Sequence, residues 1–176
     1  LTAVTEVDKQ LVEIIDVEKI LAEGSPVKEQ ISEGVVSEDV HAKAKAKKVL
    51  IVDDSKIARK QVSRCLENVG VEVVALNDGR EAWEHLYAIA EAGENISDHY
   101  MMMISDIEMP EMDGYTLTTR VRGDSRMAGF FIVLHSSLSG VFNKAMVEKV
   151  GANDFIAKFD PDILAERVVR QVNAAG

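Results

Sequence analysis

Several short apolar runs of this chain end in side chains that could take part in chemistry. Asp53 and Asp54 directly follow one run, Asp106 follows a second, and Ser136 and Lys158 follow two later ones. Carboxylates with few other ligands form a hard oxygen site suited to Mg²⁺, and a carboxylate can itself attack phosphorus. A lysine and a hydroxyl could neutralise a transferring phosphoryl group and donate hydrogen bonds to it. The set therefore predicts a site for phosphoryl transfer.

A parallel sheet would bring these side chains together. The run Val49–Val52 is apolar without alternation, as expected of a strand buried on both faces, and Ser55 can cap the helical pattern that follows. Further strands are predicted at 71–76, 101–104, 130–134 and 154–157, with helical patterns between them and a polar loop running to His99. Five β-α units predict an α/β fold with one parallel sheet and helices on both faces. The carboxyl ends of its strands share one edge, where the five side chains would converge.

The composition and net charge limit the kinds of partner and the cellular compartment that we expect for this protein. A formal net charge of −10 argues against nucleic acid, because phosphate backbones are bound mainly by basic surfaces. The longest apolar runs are far shorter than the roughly 20 residues that a membrane span needs. The lone Cys65 has no disulfide partner in the chain. We therefore predict a cytoplasmic protein without membrane insertion.

The first 47 residues have a different character from the rest. Two β-prone runs around Asp8-Lys9 predict a hairpin, and Val17–Glu23 could add a short helix. Residues 24–47 lose periodicity and become rich in Gly, Ser and charges, which indicates a linker. A helix over Val36–Lys47 is compatible with its Ala and Lys content, but the stretch offers little apolar face to bury.

The remainder, residues 48–176, resembles the receiver domain of two-component response regulators. The resemblance is carried by Val-Leu-Ile-Val-Asp-Asp-Ser, by Ser-Asp-Ile-Glu-Met-Pro-Glu-Met-Asp-Gly, and by the later Ser136 and Lys158. It implies a CheY-like fold with strand order 2-1-3-4-5. It also implies phosphorylation of Asp106 by a histidine kinase.

The same resemblance implies a role for each further site residue. Mg²⁺ would be held by Asp54, Asp106 and the backbone carbonyl of Glu108, with Asp53 acting through water. The Ser136 hydroxyl and the Lys158 ammonium would contact the phosphoryl group, and Phe155 stands at the position of the family's aromatic switch. Phe159 departs from the family, which usually has proline after the lysine.

Two stretches narrow the resemblance to the CheV family of chemotaxis coupling proteins. They are Leu-His-Ser-Ser-Leu-Ser-Gly and Ala-Lys-Phe-Asp-Pro, while residues 1–23 resemble the tail of a CheW-like domain. The implied partners are the histidine kinase CheA and, through the CheW-like part of the parent protein, chemoreceptors. The implied function is phosphorylation-dependent tuning of receptor-kinase coupling, by a signalling domain and not an enzyme.

Two other functions are compatible with the residues. Haloacid-dehalogenase phosphatases also phosphorylate an aspartate at a strand end, but they use a second Asp two residues later, where this chain has Glu108. An adaptor that has lost phosphorylation is the second alternative, and the retention of all the acidic residues weighs against it.

Overall fold

The computed structural model of the chain describes residues 3–7, 10–14, 31–32, 34–136, 141–158 and 160–174. Strands β1 (Ala3–Val7) and β2 (Gln10–Ile14) pair in antiparallel fashion, which confirms the predicted hairpin. Its turn residues and the predicted helix over Val17–Glu23 lie outside the described residues.

Five parallel strands form the main sheet. They are β3 (Lys48–Val52), β4 (Glu72–Leu76), β5 (Met102–Asp106), β6 (Ile132–Ser136) and β7 (Asp154–Ala157). Their spatial order is β4-β3-β5-β6-β7, which is the predicted 2-1-3-4-5 when the strands of this sheet alone are numbered. The central strands β5 and β6 are buried at every residue, whereas the edge strand β4 is half-exposed. Continuous apolar runs therefore mark the middle of the sheet.

Helices cover both faces of this sheet. They are α1 (Glu38–Ala44), α2 (Lys56–Val69), α3 (Gly79–Glu91), α4 (Ile96–His99), α5 (Gly114–Gly123), α6 (Val141–Val150) and α7 (Pro161–Ala174). Helices α3, α5 and α6 pack on one face around Leu86 and Leu117. Helices α1, α2 and α7 pack on the other around Leu66 and Val168. The predicted α/β architecture is confirmed.

Three local predictions differ from the structure. The polar loop before His99 contains helix α4, which Asn95 caps and Ile96 anchors in the core. Strand β6 begins two residues later than predicted, because Phe130 closes a turn by donating its N–H to Met127 O. The stretch before β3 contains helix α1, whose apolar contacts come from Val40 and Ala44.

No helix among the described residues combines the length and the hydropathy required to cross a bilayer.

Candidate functional site

The predicted site residues lie at the carboxyl edge of the sheet. Asp53 directly follows β3, Asp106 and Ser136 are the last residues of β5 and β6, and Lys158 directly follows β7. Because neighbouring parallel strands are in register, Asp106 lies opposite His135 and Ser136 lies opposite Ala157. Strand order alone thus places the carboxylates, the hydroxyl and the lysine side by side.

Lys158 holds the centre of this edge. Its Nζ lies 2.8 Å from Asp106 Oδ2 and 3.2 Å from Asp53 Oδ2. All three side chains are at most 4% exposed. Moving these three charged groups out of water costs solvation free energy that their mutual attraction only partly replaces, and removing one partner would leave an uncompensated buried charge.

Burial also sets the protonation of the site. It raises the pKa of Asp106 to about 7, and the hydrogen bond and charge of Lys158 only partly offset the effect. The neighbouring charges of Asp53 and Glu108 raise the pKa of Asp106 further. Burial also raises the pKa of Asp53, although the nearby charge of Lys158 lowers it in part. Additional positive charge at this edge would favour the ionised, nucleophilic form of Asp106.

Local structure holds the acceptor strand and the acidic turn in place. The backbone N–H of Ser55 donates to Asp53 Oδ1 at 2.8 Å, and the Ser55 hydroxyl caps α2 by accepting from Ala58 N. On the other side, a Cβ added to Gly114 would collide with the carbonyl oxygen of Asp106. The beginning of α5 can therefore pack directly on the end of β5 only because residue 114 is glycine.

The donor set at this edge fits a hard divalent cation. One carboxylate oxygen from each of Asp53, Asp54 and Asp106 lies within 4.8 Å of the others. Asp54 is exposed and accessible to hydrated ions, whereas the buried Asp53 Oδ2 contacts the Lys158 ammonium at 3.2 Å. Oxygen-only ligands with room for water suit Mg²⁺. The carboxylates predicted from the sequence therefore meet, and their oxygen atoms form a ligand set that fits Mg²⁺.

One contact at the site was not anticipated from the sequence. The fully buried Ser136 hydroxyl lies 2.9 and 3.0 Å from the two oxygens of the Glu108 carboxylate, to which it donates. The resemblance to receiver domains implies a role only for the backbone carbonyl of Glu108. A possible signal was its position two residues after Asp106, which aims its side chain toward the same strand edge.

Phe155 lies away from the acidic cluster. It is partly buried and packs against the apolar cluster formed by α3, α5 and α6. It is opposite Leu134, two residues before Ser136 along the neighbouring strand. A path of adjacent residues thus connects the hydroxyl at the rim with this aromatic ring. Phe159, the departure from the family pattern, lies outside the described residues.

Comparison with known proteins is consistent with this geometry. Residues 49–169 match the response regulator receiver domain family. The chain belongs to this family. The receiver is 35% identical to the chemotaxis protein CheY1 of Helicobacter pylori over 123 residues, which cover 69% of this chain and 93% of CheY1. The structure of Vibrio cholerae CheY4 superposes with a TM-score of 0.60 at 32% identity, covering 70% of this chain and 97% of CheY4.

The predicted resemblance to CheV proteins is also confirmed. Chemotaxis protein CheV1 of Helicobacter pylori is 31% identical over 166 residues, or 93% of this chain, so the match extends well beyond the receiver. The chain spans 49% of the length of CheV1. The domain boundaries at residues 23 and 47, and the CheW-like character of residues 1–23, stay predictions.

Proposed function

We propose that this receiver accepts a phosphoryl group on Asp106 from a histidine kinase. The observation that carries the proposal is the buried bridge in which Lys158 Nζ lies 2.8 Å from Asp106 Oδ2, at the edge shared with Asp53 and Asp54. A structural ion pair alone would not need a third, exposed carboxylate beside it. A phosphoryl-accepting site needs a carboxylate nucleophile, a cation site beside it and a fixed ammonium.

The chain's own groups suggest how the transfer proceeds. An Asp106 carboxylate oxygen forms the new bond to phosphorus while the phosphorus–nitrogen bond of the kinase phosphohistidine breaks, and its electron pair stays on the imidazole. Lys158 shifts toward the phosphoryl oxygens, and the Ser136 hydroxyl donates to one of them after leaving Glu108. A bound Mg²⁺, held by Asp53, Asp54, Asp106 and the Glu108 carbonyl, would supply further positive charge against the phosphoryl oxygens.

The partners follow from the proteins that this chain resembles. We infer that the kinase is CheA and that the whole protein acts in the cytoplasm. The CheW-like part of the parent protein would join chemoreceptors to that kinase, and the receiver would adjust the coupling. In this proposal the domain is a signalling phosphoacceptor, and hydrolysis of its own phosphoryl group resets it.

Intact mass spectrometry after incubation with acetyl phosphate and Mg²⁺ tests the acceptor. We expect one phosphoryl adduct on the wild-type chain and none on Asp106→Asn. Asp98→Asn is the matched control, because Asp98 is exposed on α4, which precedes β5, whereas Asp106 is at the far end of that strand. Equal labelling of Asp106→Asn and wild type would overturn the assignment.

Two further outcomes separate the alternative functions. Sustained turnover of an added phosphomonoester would favour the phosphatase alternative, because a receiver releases only its own phosphoryl group. A wild-type chain that binds Mg²⁺ without forming an adduct would favour the non-phosphorylated adaptor.

A further inference from the structure

Residues 31–32 and 34–44, here called the strap, pack on the face of the receiver formed by α2 and α7. Val40 and Ala44 are buried in the same apolar cluster as Leu66 of α2 and Val168 of α7. Ile31, Val35 and Val36 are partly buried against that cluster. The strap therefore shares the core of the receiver instead of running free before β3.

Polar contacts hold the strap at both ends. The backbone N–H and hydroxyl of Ser32 donate to the two carboxylate oxygens of Asp162, at 2.7 and 2.8 Å. At the other end, His41 Nδ1 donates to the carbonyl oxygen of Val69 at 3.1 Å. Asp162 is in the first turn of α7 and Val69 is the last residue of α2.

These two contacts show from which edge of the sheet to which edge the strap runs. Helices that follow parallel strands begin at the carboxyl edge of the sheet and run back to the amino edge. Asp162 therefore marks the edge that carries the phosphorylation site, and Val69 marks the opposite edge. The strap descends from the first to the second, so any domain upstream of Ile31 is joined to the receiver at the edge of its phosphorylation site.

The upper contact is also close in sequence to the site. Asp162 follows Lys158 by four residues. Asp160 lies between them in the chain, and its Oδ1 accepts from the N–H of Asp162 at 3.1 Å and of Ile163 at 3.2 Å, which fixes the beginning of α7. A displacement of Lys158 would therefore act within four residues of the contact between Asp162 and Ser32.

We propose that the strap is a regulated tether between the phosphorylation site and the upstream part of the protein. It is docked while Lys158 bridges Asp53 and Asp106, and it loosens at Ser32 when a phosphoryl group on Asp106 draws Lys158 away. This inference rests on the proposed function. In this proposal the face formed by α2 and α7 has a signalling role, and this face is distinct from the surface near Phe155.

Hydrogen exchange of the full chain tests the tether. Asp162→Asn should speed exchange of the amides from Val35 to Ala44 by about tenfold or more, because one charge-assisted acceptor is lost. Ser32→Ala, which leaves the receiver itself unchanged, should act in the same direction. Glu166→Gln is the matched control, since Glu166 is an exposed carboxylate on the same helix, and it should have no effect. Exchange of these amides that is equal in all four proteins would overturn the docked strap.

Beryllium fluoride, in which BeF₃⁻ on Asp106 stands in for the phosphoryl group, tests the release. We expect severalfold faster exchange from Val35 to Ala44 in the complex, and no change for Asp106→Asn. If acetyl phosphate yields the adduct while exchange of the strap stays fixed, the tether is wrong and the proposed function stands. If no adduct forms, the proposed function fails and the release fails with it, whereas the Asp162→Asn comparison still decides whether the strap is docked.

Discussion

At the residue scale, the proposed function would make Glu108 a competitor of the phosphoryl group for the Ser136 hydroxyl. Its carboxylate accepts from the Ser136 hydroxyl and adds negative charge beside Asp106. Both effects oppose an incoming anion, because the hydroxyl must be released and the local charge is already negative. We therefore expect Glu108 to reduce the affinity of the site for a phosphoryl group.

Replacing Glu108 by glutamine should strengthen the binding of BeF₃⁻. The charge is lost and the hydrogen bond to Ser136 becomes weaker, so we expect the half-saturating concentration to fall on the order of threefold to tenfold. Fluorine resonance titrations with Mg²⁺ present would measure it. Glu111→Gln is the control, because Glu111 lies in the same loop but pairs with Arg80 at 3.1 Å. Two variants that titrate like wild type would show that Glu108 does not compete.

His135 carries the clearest dependence of stability on pH. Burial, assisted by the charge of Lys158, lowers the pKa of His135 to about 3. The unfolded chain has a histidine pKa near 6.5 and binds a proton first, so folding stability is present above about pH 6.5 and is lost as the pH falls toward about 3. Between pH 7 and pH 5 the loss from this residue should be about 2 kcal/mol.

Urea unfolding of wild type and His135→Gln at both pH values checks this expectation. Both proteins also carry Asp106→Asn, because the buried Asp106, whose pKa is raised by burial, acts in the opposite direction, and the effects of two residues that lie opposite each other need not add. Protonation of the His135 ring near pH 6.5 in the folded protein, seen by nitrogen resonances, would contradict the argument.

At the scale of elements, Gly70 connects the end of α2 with the strap. It ends the helix with φ at 104°, and its N–H donates to Glu67 O and Leu66 O. A Cβ at this position would come within 2.7 Å of His41 Nδ1. Glycine is therefore required here both by the backbone and by the packing of α1.

Gly70→Ala should destabilise the chain by more than Gly93→Ala. Both glycines have positive φ, so each substitution costs about 1–2 kcal/mol of backbone strain, but a Cβ at Gly93 meets nothing within 4 Å. Displacing the His41 ring and its hydrogen bond should add about 0.5–1.5 kcal/mol for Gly70 alone. Denaturant unfolding measures the difference, and His41→Ala should abolish it. Equal losses for the two glycines would mean that His41 contributes nothing to docking.

At the scale of the whole molecule, occupation of the site must change a distant surface if the receiver is to signal. Ser136 ends β6, and Phe155 on β7 packs against the cluster that includes Val147 of α6. Movement of the Ser136 hydroxyl from Glu108 to a phosphoryl oxygen would open space toward Phe155. Burial of the ring in that space would favour one state by about 1–3 kcal/mol, the usual size of an allosteric coupling.

Amide chemical shifts of the free and BeF₃⁻-bound domain measure this coupling. We expect changes from Val141 to Val150 and at Phe155 as well as beside Asp106, and none for Asp106→Asn. Shifts confined to the neighbourhood of Asp106 would exclude this surface. Faster exchange of the strap in the same complex would then identify α2 and α7 as the output face.

The five-stranded parallel sheet and the convergence of the candidate site residues at its edge were predictable from the residues, whereas the strand order 2-1-3-4-5 came from the resemblance to receiver domains. Buried parallel strands leave continuous apolar runs, and the groups at Asp53, Asp106, Ser136 and Lys158 follow such runs directly. Each of these patterns can be recognised in a short stretch of sequence. The parallel arrangement of the strands then brings the residues at their carboxyl ends together at one edge of the sheet. The ends of the strands were harder to predict. Ser136 is polar and still belongs to the fully buried strand β6, so the apolar run alone places the end of this strand too early.

Contacts between side chains on different elements were decided only by the tertiary structure. The Glu108 carboxylate contacts Ser136 because β5 and β6 end side by side. The spacing of these residues in the sequence does not predict to which acceptor the Ser136 hydroxyl donates. The strap was predicted as a linker because its apolar residues are few. Val40 and Ala44 are nevertheless buried, since α2 and α7 present an apolar surface that covers small side chains. Burial depends on the partner surface as well as on the segment, and that surface exists only in the folded receiver.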